Sequence, residues 1–335
     1  MSAAGENKAV LVTGAAGFIG SHLVRKLLQA GHRVLSFDAL TYAGSRASLA
    51  DCEGHPAHQF HLADVRNAKE TLHIVQDFSP DWTFHLAAET HVDRSISDPT
   101  VFLETNVLGT GNLLTAATSH FNQLEPSRKA GFRFIQVSTD EVFGSATANQ
   151  LFSEDSPYQP RSPYAASKAA ADHLVRAWEN TYGLPIIITC CSNNYGRFQF
   201  PEKLIPLTIS KILAGEIIPI YGNGQQSRDW IHVDDHCDAL IAAASSGISG
   251  SSYLIGANNV LRNIDLVKKI CDLVVELSPE NSAAHSLIRF VTDRPGHDLR
   301  YAVDSSKIRA ELGWAPKIEF SAGLRDAVLW YLGKL

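Results

Sequence analysis

The chain has 335 residues, 45% of them hydrophobic and 19% charged, with a formal net charge of −6. That length and apolar fraction suffice for one large core or two. The mild, well-mixed acidity excludes a nucleic-acid binder or a membrane-surface protein, and no apolar run reaches the ~18 residues of a bilayer span. The five cysteines, Cys52, Cys190, Cys191, Cys237 and Cys271, form no C-x-x-C pair. An odd count disfavours a disulfide framework, so a reduced, cytoplasmic setting is expected.

The apolar stretch 8–19 is interrupted by Gly14 and Gly17, with Gly20 following. It lacks a cleavage pattern and reads as strand plus turn, not as a secretory leader. Strands are expected at 9–13, 33–37, 59–61, 83–87, 132–138 and 186–190, and helices at 21–30, 68–78, 101–120 and 165–182. Strands spaced by helices of this length build an α/β fold, a doubly wound parallel sheet with helices on both faces. Beyond Asn193, Pro and Gly become frequent, at Pro201, Pro206, Pro219, Gly222 and Gly224. A helix at 203–214, a strand at 253–255 and a helix at 264–277 are expected there. The pattern divides the chain into residues 1–191 and a smaller mixed α/β body, 192–335, with the later chain crossing back at about 229–260.

Gly14-Ala15-Ala16-Gly17-Phe18-Ile19-Gly20 follows a strand and opens a helix. Glycines at such a turn let the backbone approach a pyrophosphate, whose charge sits on the helix N-terminus. A glycine triplet alone is weak evidence, since many strand–helix turns carry two glycines. Asp38, eighteen positions after Gly20 at the end of the second strand, strengthens it. A carboxylate there accepts ribose hydroxyls and repels a 2′-phosphate, which favours NAD over NADP. Asp64, after the third strand, stands where it can meet an adenine edge or simply face solvent.

Tyr164 and Lys168, four apart, share one face at the start of a helix. A phenol with a pKa of about 10 is a poor base at neutral pH. A cation about 4 Å away is worth up to ~4 kcal/mol at an effective dielectric of 20, roughly three pKa units. Lys168 is therefore expected to draw the Tyr164 phenol down toward a working base. Y-x-x-x-K by itself is common on structural helices; joined to the glycine turn and Asp38 it points to chemistry.

Together these residues resemble the extended short-chain dehydrogenase/reductase family, whose cofactor half is a Rossmann fold. Val137-Ser138-Thr139-Asp140-Glu141-Val142-Phe143-Gly144 narrows the resemblance to the dTDP-glucose 4,6-dehydratases. So do the stretches 85–95, 193–196, 200–206, 228–230 and 294–298 in the same order. The resemblance implies an NAD-dependent enzyme acting on a nucleoside-diphosphate glucose, working as a homodimer through the 101–120 and 165–182 helices. It implies that Thr139 bonds the C4 oxygen, that Tyr164 with Lys168 removes the C4 hydroxyl proton, and that Glu141 abstracts the C5 proton. Asp140, protonated, gives its proton to the departing C6 hydroxyl. Neighbouring carboxylates push each other's pKa values apart, so a neutral Asp beside a charged Glu is a sound split.

The cofactor set so implied is Gly14, Gly17, Phe18, Ile19, Gly20, Asp38, Asp64, Val65, Ala87, Ala88, Thr105, Tyr164, Lys168 and Asn193. The substrate set is Thr90, Asn193, Lys203, Leu204, Pro219, Tyr221, Arg228, Asn263, His297 and Tyr301. Arg228 leads it on chemistry alone, because a guanidinium fork matches a diphosphate. No metal is expected, as the histidines form no H-x-x-H or H-E-x-x-H pattern. Phe143 and Arg197-Phe198 depart from the family's usual Tyr and Pro-Tyr. The alternatives are a UDP-glucose dehydratase, a nucleotide-sugar epimerase or decarboxylase (in which the acidic pair is expected to be replaced), and a non-catalytic NAD-binding protein.

Overall fold

The computed structural model describes residues 7–333; residues 1–6 and 334–335, the outermost ends of the two expected bodies, lie outside it. In chain order come β1 (Ala9–Thr13), α1 (Phe18–Gln29), β2 (Arg33–Asp38), β3 (His58–Leu62), α2 (Ala68–Phe78) and β4 (Trp82–His85). Next are α3 (Val92–Ser97), α4 (Pro99–Phe102), a π-helical stretch (Leu103–Gly109), α5 (Thr110–Gln123) and α6 (Pro126–Gly131). β5 (Arg133–Thr139), α7 (Pro163–Tyr182) and β6 (Ile186–Cys191) complete the first region. The remainder holds β7 (Asn193–Tyr195), α8 (Leu204–Ala214), β8 (Ile218–Tyr221), β9 (Ser227–His232), α9 (Val233–Ser246) and β10 (Ser252–Ile255). β11 (Val260–Arg262), α10 (Asn263–Leu277), β12 (Ile288–Val291), α11 (Ser306–Leu312) and α12 (Phe320–Tyr331) follow.

Seven strands form one parallel sheet in the order β10-β6-β5-β4-β1-β2-β3. All residues of β1 and β6 are buried, as befits strands covered by helices on both faces. Leu11, Phe37, Phe134 and Ile188 join one apolar cluster; Val10, Val12, Val34 and Ile187 join the other. The strand order reverses direction between β1 and β4, and ligands of such sheets bind in the crevice at the carboxyl ends there. β10 pairs with β6 in parallel, and α9 packs beside α1, so the chain returns to this sheet after leaving it. A third cluster, including Ile205, Ile218, Trp230, Val267 and Leu324, is the core of the smaller body. That body carries the sheet β11-β9-β7 and the parallel pair β12-β8.

One expected element differs in kind. The helix anticipated at 101–120 is three pieces, α4, the π-helical stretch and α5. The irregular stretch lies where Asn106 spends its side chain on tertiary bonds and Thr110 Oγ1 donates to the Asn106 carbonyl at 2.6 Å. β4 ends two residues before the expectation. At Leu86 the chain turns past Gly14, and the Ala87 amide donates to Thr13 Oγ1 at 3.2 Å instead of continuing the ladder.

Candidate active site

The glycine turn is built for close approach. Gly14 has φ +68°, and a Cβ there would lie 2.7 Å from the Ala87 nitrogen. A Cβ on Gly20 would overlap the Gly14 carbonyl, so the third glycine seats α1 on β1. Gly17 caps α1 with no side-chain hydrogen bond. Asp38, 7% exposed, accepts from the Ala16 amide at 2.8 Å and the Leu40 amide at 2.7 Å. Burial nevertheless raises its carboxyl above the usual range. A carboxylate has about four lone-pair sites, which leaves room for a diol.

One cleft runs from this turn to the end of β5. It is lined by every residue of the expected cofactor set, by Thr139–Glu141, and by Thr90 and Lys203. Thr105 reaches it from the π-helical stretch, and Asn106 beside it secures the wall. Asn106 accepts from the Glu89 amide at 2.8 Å, donates to the Glu89 carbonyl at 3.0 Å, and donates to Ser167 Oγ at 2.8 Å.

At the end of β5, Asp140 is 2% exposed. Its Oδ1 accepts from Thr139 Oγ1 at 3.4 Å, while Oδ2 is buried without a partner. Burial first, and the neighbouring Glu141 second, push its carboxyl well above the ordinary value. Glu141 is raised by burial but restrained by Arg228, Arg294 and Lys203. Both carboxyls are thus pushed upward by burial, and Glu141 has the more cationic company of the two.

Tyr164 corrects one expectation. Burial, and then the negative charge of Glu141, push its phenol well above the usual value, and a hydrogen bond with Thr139 only partly offsets this. Lys168, 5% exposed, donates to the Val137 carbonyl at 2.7 Å, and burial lowers its own pKa. Within the protein alone, desolvation outweighs the help a single cation gives the phenol.

The rest of the substrate set gathers beside the cleft instead of lining it. Tyr301 OH lies 3.4 Å from Glu141 Oε2 and 2.7 Å from Asp298 Oδ2. The Arg228 guanidinium lies 4.2 Å from the Tyr301 ring centre and donates to the Asp298 carbonyl at 3.0 Å. Tyr221 meets the His297 ring edge to face at 6.2 Å. Asn263 bonds through its amide to the Gln226 carbonyl at 2.9 Å, and its Oδ1 is buried without a partner. Pro219 stands in β8 two residues before Tyr221, and Leu204 opens α8 directly after Lys203.

Several residues here were not singled out from sequence. Asp93 joins Arg294 at 3.1 Å and Tyr221 at 3.0 Å. Glu202 faces His91 and Arg94, each at 3.6 Å, with Oε1 buried and unpartnered. Thr41, Ala43 and Gly44 form a lip on the cleft. A charged residue adjoining one already chosen, as Glu202 adjoins Lys203, is the signal that was available. The departures have packing roles. Phe143 stacks on Phe152 at 5.2 Å and meets Tyr158 edge-on at 5.1 Å, so it needs no hydroxyl. Arg197 pairs with Asp326 at 2.6 Å and Phe198 packs on Trp330 at 4.9 Å, fastening α12.

A family model described as GDP-mannose 4,6 dehydratase matches residues 11–327. A dTDP-glucose 4,6-dehydratase of Xanthomonas campestris is 49% identical over 96% of this chain and 92% of its own length. The chain belongs to the 4,6-dehydratase family. Dehydratase 1 of Escherichia coli K12, also named for dTDP-glucose, is 49% identical over 96% of this chain and 92% of its own. Among solved structures, DesIV of Streptomyces venezuelae, a dTDP-glucose 4,6-dehydratase with NAD and TYD bound, superposes with a TM-score of 0.89 at 44% identity, covering 97% of each chain. The UDP-glucose 4-epimerase of Thermotoga maritima shares the fold at a TM-score of 0.85 but only 26% identity, covering 97% of this chain and 98% of its own.

Proposed function

We propose that this protein is an NAD-dependent hydro-lyase that converts dTDP-glucose to dTDP-4-keto-6-deoxyglucose. The observation that carries the reading is the placement of two adjacent buried acids, Asp140 and Glu141, in the same cleft as Tyr164 and the glycine turn. An epimerase that only moves a hydride off and onto C4 has no use for that pair. The donor set suits NAD: a side-chain-free helix start at Gly17, a ribose-facing Asp38, and flat walls at Val65 and Ala87-Ala88. Thr105, Asn193, Phe18 and Ile19 complete its side of the cleft.

NAD held along the glycine turn, Asp38 and Lys168 would supply a hydride acceptor and donor and a positive ring that favours the tyrosinate. The residues manage the protons. Thr139 orients the C4 oxygen and Tyr164 takes its proton, with Lys168 behind it. The resulting C4 ketone acidifies C5, where Glu141 removes the proton. Asp140 delivers its proton to the C6 hydroxyl, which departs as water, and Glu141 later returns its proton to C5. Arg228, Asn263 and Lys203 are assigned to the diphosphate and sugar, and Pro219, Tyr221, His297 and Tyr301 to the nucleotide. The test is incubation with dTDP-glucose and, separately, UDP-glucose. A 4-keto product absorbing in alkali is expected at much higher kcat/KM from dTDP-glucose. Equal or better use of UDP-glucose overturns the base preference, and epimerised sugar without a ketone overturns the reaction.

We also propose a cytoplasmic homodimer that pairs the surface carrying α5 and α7. Leu103 and Leu108, 53% and 63% exposed on the adjoining stretch, support that surface, and five free, buried cysteines suit a reduced compartment. Among the described residues no helix is long and apolar enough to cross a membrane. Sedimentation at micromolar concentration is expected to give about twice the chain mass.

A further inference from the structure

Asp172 is fully buried one helical turn beyond Lys168 on α7, and nothing in the chemistry above uses it. Its carboxylate is surrounded by donors. Ser138 Oγ donates to Oδ2 at 2.6 Å, Tyr158 OH to the same oxygen at 3.0 Å, and Gln136 Nε2 to Oδ1 at 3.4 Å. The Tyr158 hydroxyl itself accepts from Arg176 Nη2 at 3.1 Å and lies 3.9 Å from Cys190 Sγ. Three donors converging on one carboxyl are the arrangement that suits a carboxylate. Lys168, Asp172 and Arg176 stand at intervals of four along α7, the first two buried and Arg176 half-buried, a row of cation, anion and cation in which successive Cβ atoms lie about 6 Å apart.

We propose that Asp172 is a positioning residue for the reaction: it is the buried counter-ion of Lys168, and through Ser138 it ties that charge to the strand end bearing Thr139, Asp140 and Glu141. Lys168 has no carboxylate within salt-bridge distance among the described residues, and its ammonium is otherwise held by the neutral Val137 carbonyl. The groups facing it are Tyr164 and Asp172 on its own helix, Cys190 and Cys191 from β6, and His85 from β4. With both thiols and His85 uncharged at neutral pH, Asp172 is the anion among them. Burial lowers the Lys168 pKa and Asp172 is the first influence that raises it. Burial raises Asp172 and Lys168 is the first influence that lowers it. Each partner's charge opposes the shift that burial imposes on the other. Ser138 carries the same anchor into the site, since it immediately precedes Thr139 in β5.

This rests on the reading that charged Lys168 supports Tyr164. The test compares wild type with Asp172→Asn and Ser138→Ala, each loaded with NAD, for the pH profile of kcat and for direct titration of Lys168 by NMR with isotope-labelled lysine. Asp172→Asn is expected to move the alkaline limb of kcat, and the Lys168 titration with it, down by about one to two pH units. Ser138→Ala keeps the charge, so it is expected to lower kcat at every pH with the limb in place. A limb unmoved in Asp172→Asn, or moved equally in Ser138→Ala, overturns the proposal. If Asp172→Asn does not fold, wild type decides: a Lys168 found neutral across the active pH range overturns the counter-ion role. The NMR titration requires no turnover, so failure of the dehydratase reading would appear in the substrate assay while leaving this result intact.

Discussion

Asp140 and Glu141 are chemically alike and covalently adjacent, yet they face different company. Arg228, Arg294 and Lys203 stabilise the charge on Glu141, whereas Asp140 meets chiefly burial and the Glu141 charge. Glu141→Gln is expected to abolish formation of the 4-keto-6-deoxy product while still allowing oxidation at C4, seen as reduced-nicotinamide absorbance trapped on the enzyme. Tyr164→Phe is expected to show neither; absorbance there would contradict its place in the first step. Asp140 also predicts a pH-dependent stability. Its folded carboxyl keeps a proton at pH values where the unfolded chain has lost it, so stability declines as pH rises from the ordinary carboxylate range through the raised value. Asp140→Asn removes that decline. Denaturant midpoints are expected to show the variant more stable than wild type at neutral pH, by about 1.4 kcal/mol for each pKa unit of elevation. The two should converge below the ordinary carboxylate range, and the variant's kcat should fall by roughly 10²- to 10⁴-fold.

The π-helical stretch shows how a local irregularity serves the cleft. Such bulges recur at functional sites, and here one presents Thr105 to the cavity while Asn106 clamps the loop after β4 that carries Ala87 and Ala88. Asn106→Ala removes three buried hydrogen bonds and strands the Glu89 backbone groups. It is expected to lower the unfolding free energy by about 1–3 kcal/mol and to weaken NAD retention through gel filtration. Unchanged retention would separate the clamp from the cofactor wall. This element was not legible in the sequence, since the apolar spacing over 101–120 is helical and does not say which turn widens. By contrast β1, the turn after it and the β5 end were legible, because a continuous apolar run, the Gly14–Gly20 spacing and the Thr139-Asp140-Glu141 run are local signals. The substrate-side strands β8 and β12 have only four residues each and, like β9, owe their pairing to distant partners, so periodicity had little to report. The Tyr164 environment was misjudged for a related reason: desolvation depends on the whole surrounding packing, whereas the Lys168 spacing is visible in five letters.

Across the molecule, a small polar bridge ties α3 to β8 and to the segment after β12. Asp93, from α3, reaches Arg294 and Tyr221 of the second body. The bridge is partly exposed, so its worth to folding is about 0–1 kcal/mol. Asp93→Ala is expected to leave the denaturation midpoint nearly unchanged and to raise KM for the nucleotide sugar several-fold. A large midpoint loss with unaltered KM would make it a purely structural tie. The covalent path between the bodies is more entangled than this bridge. After β6 the chain leaves the large sheet, returns through α9 to lay β10 against β6, and leaves again. Severing it once, after Cys191, would therefore bare the apolar edge of β6 as an adhesive rim for other chains. Grafting a relative's sugar-recognition half onto this cofactor half requires at least two splice junctions, one on either side of the returning segment, and lineages that exchange such halves by a single recombination event are expected to yield insoluble products.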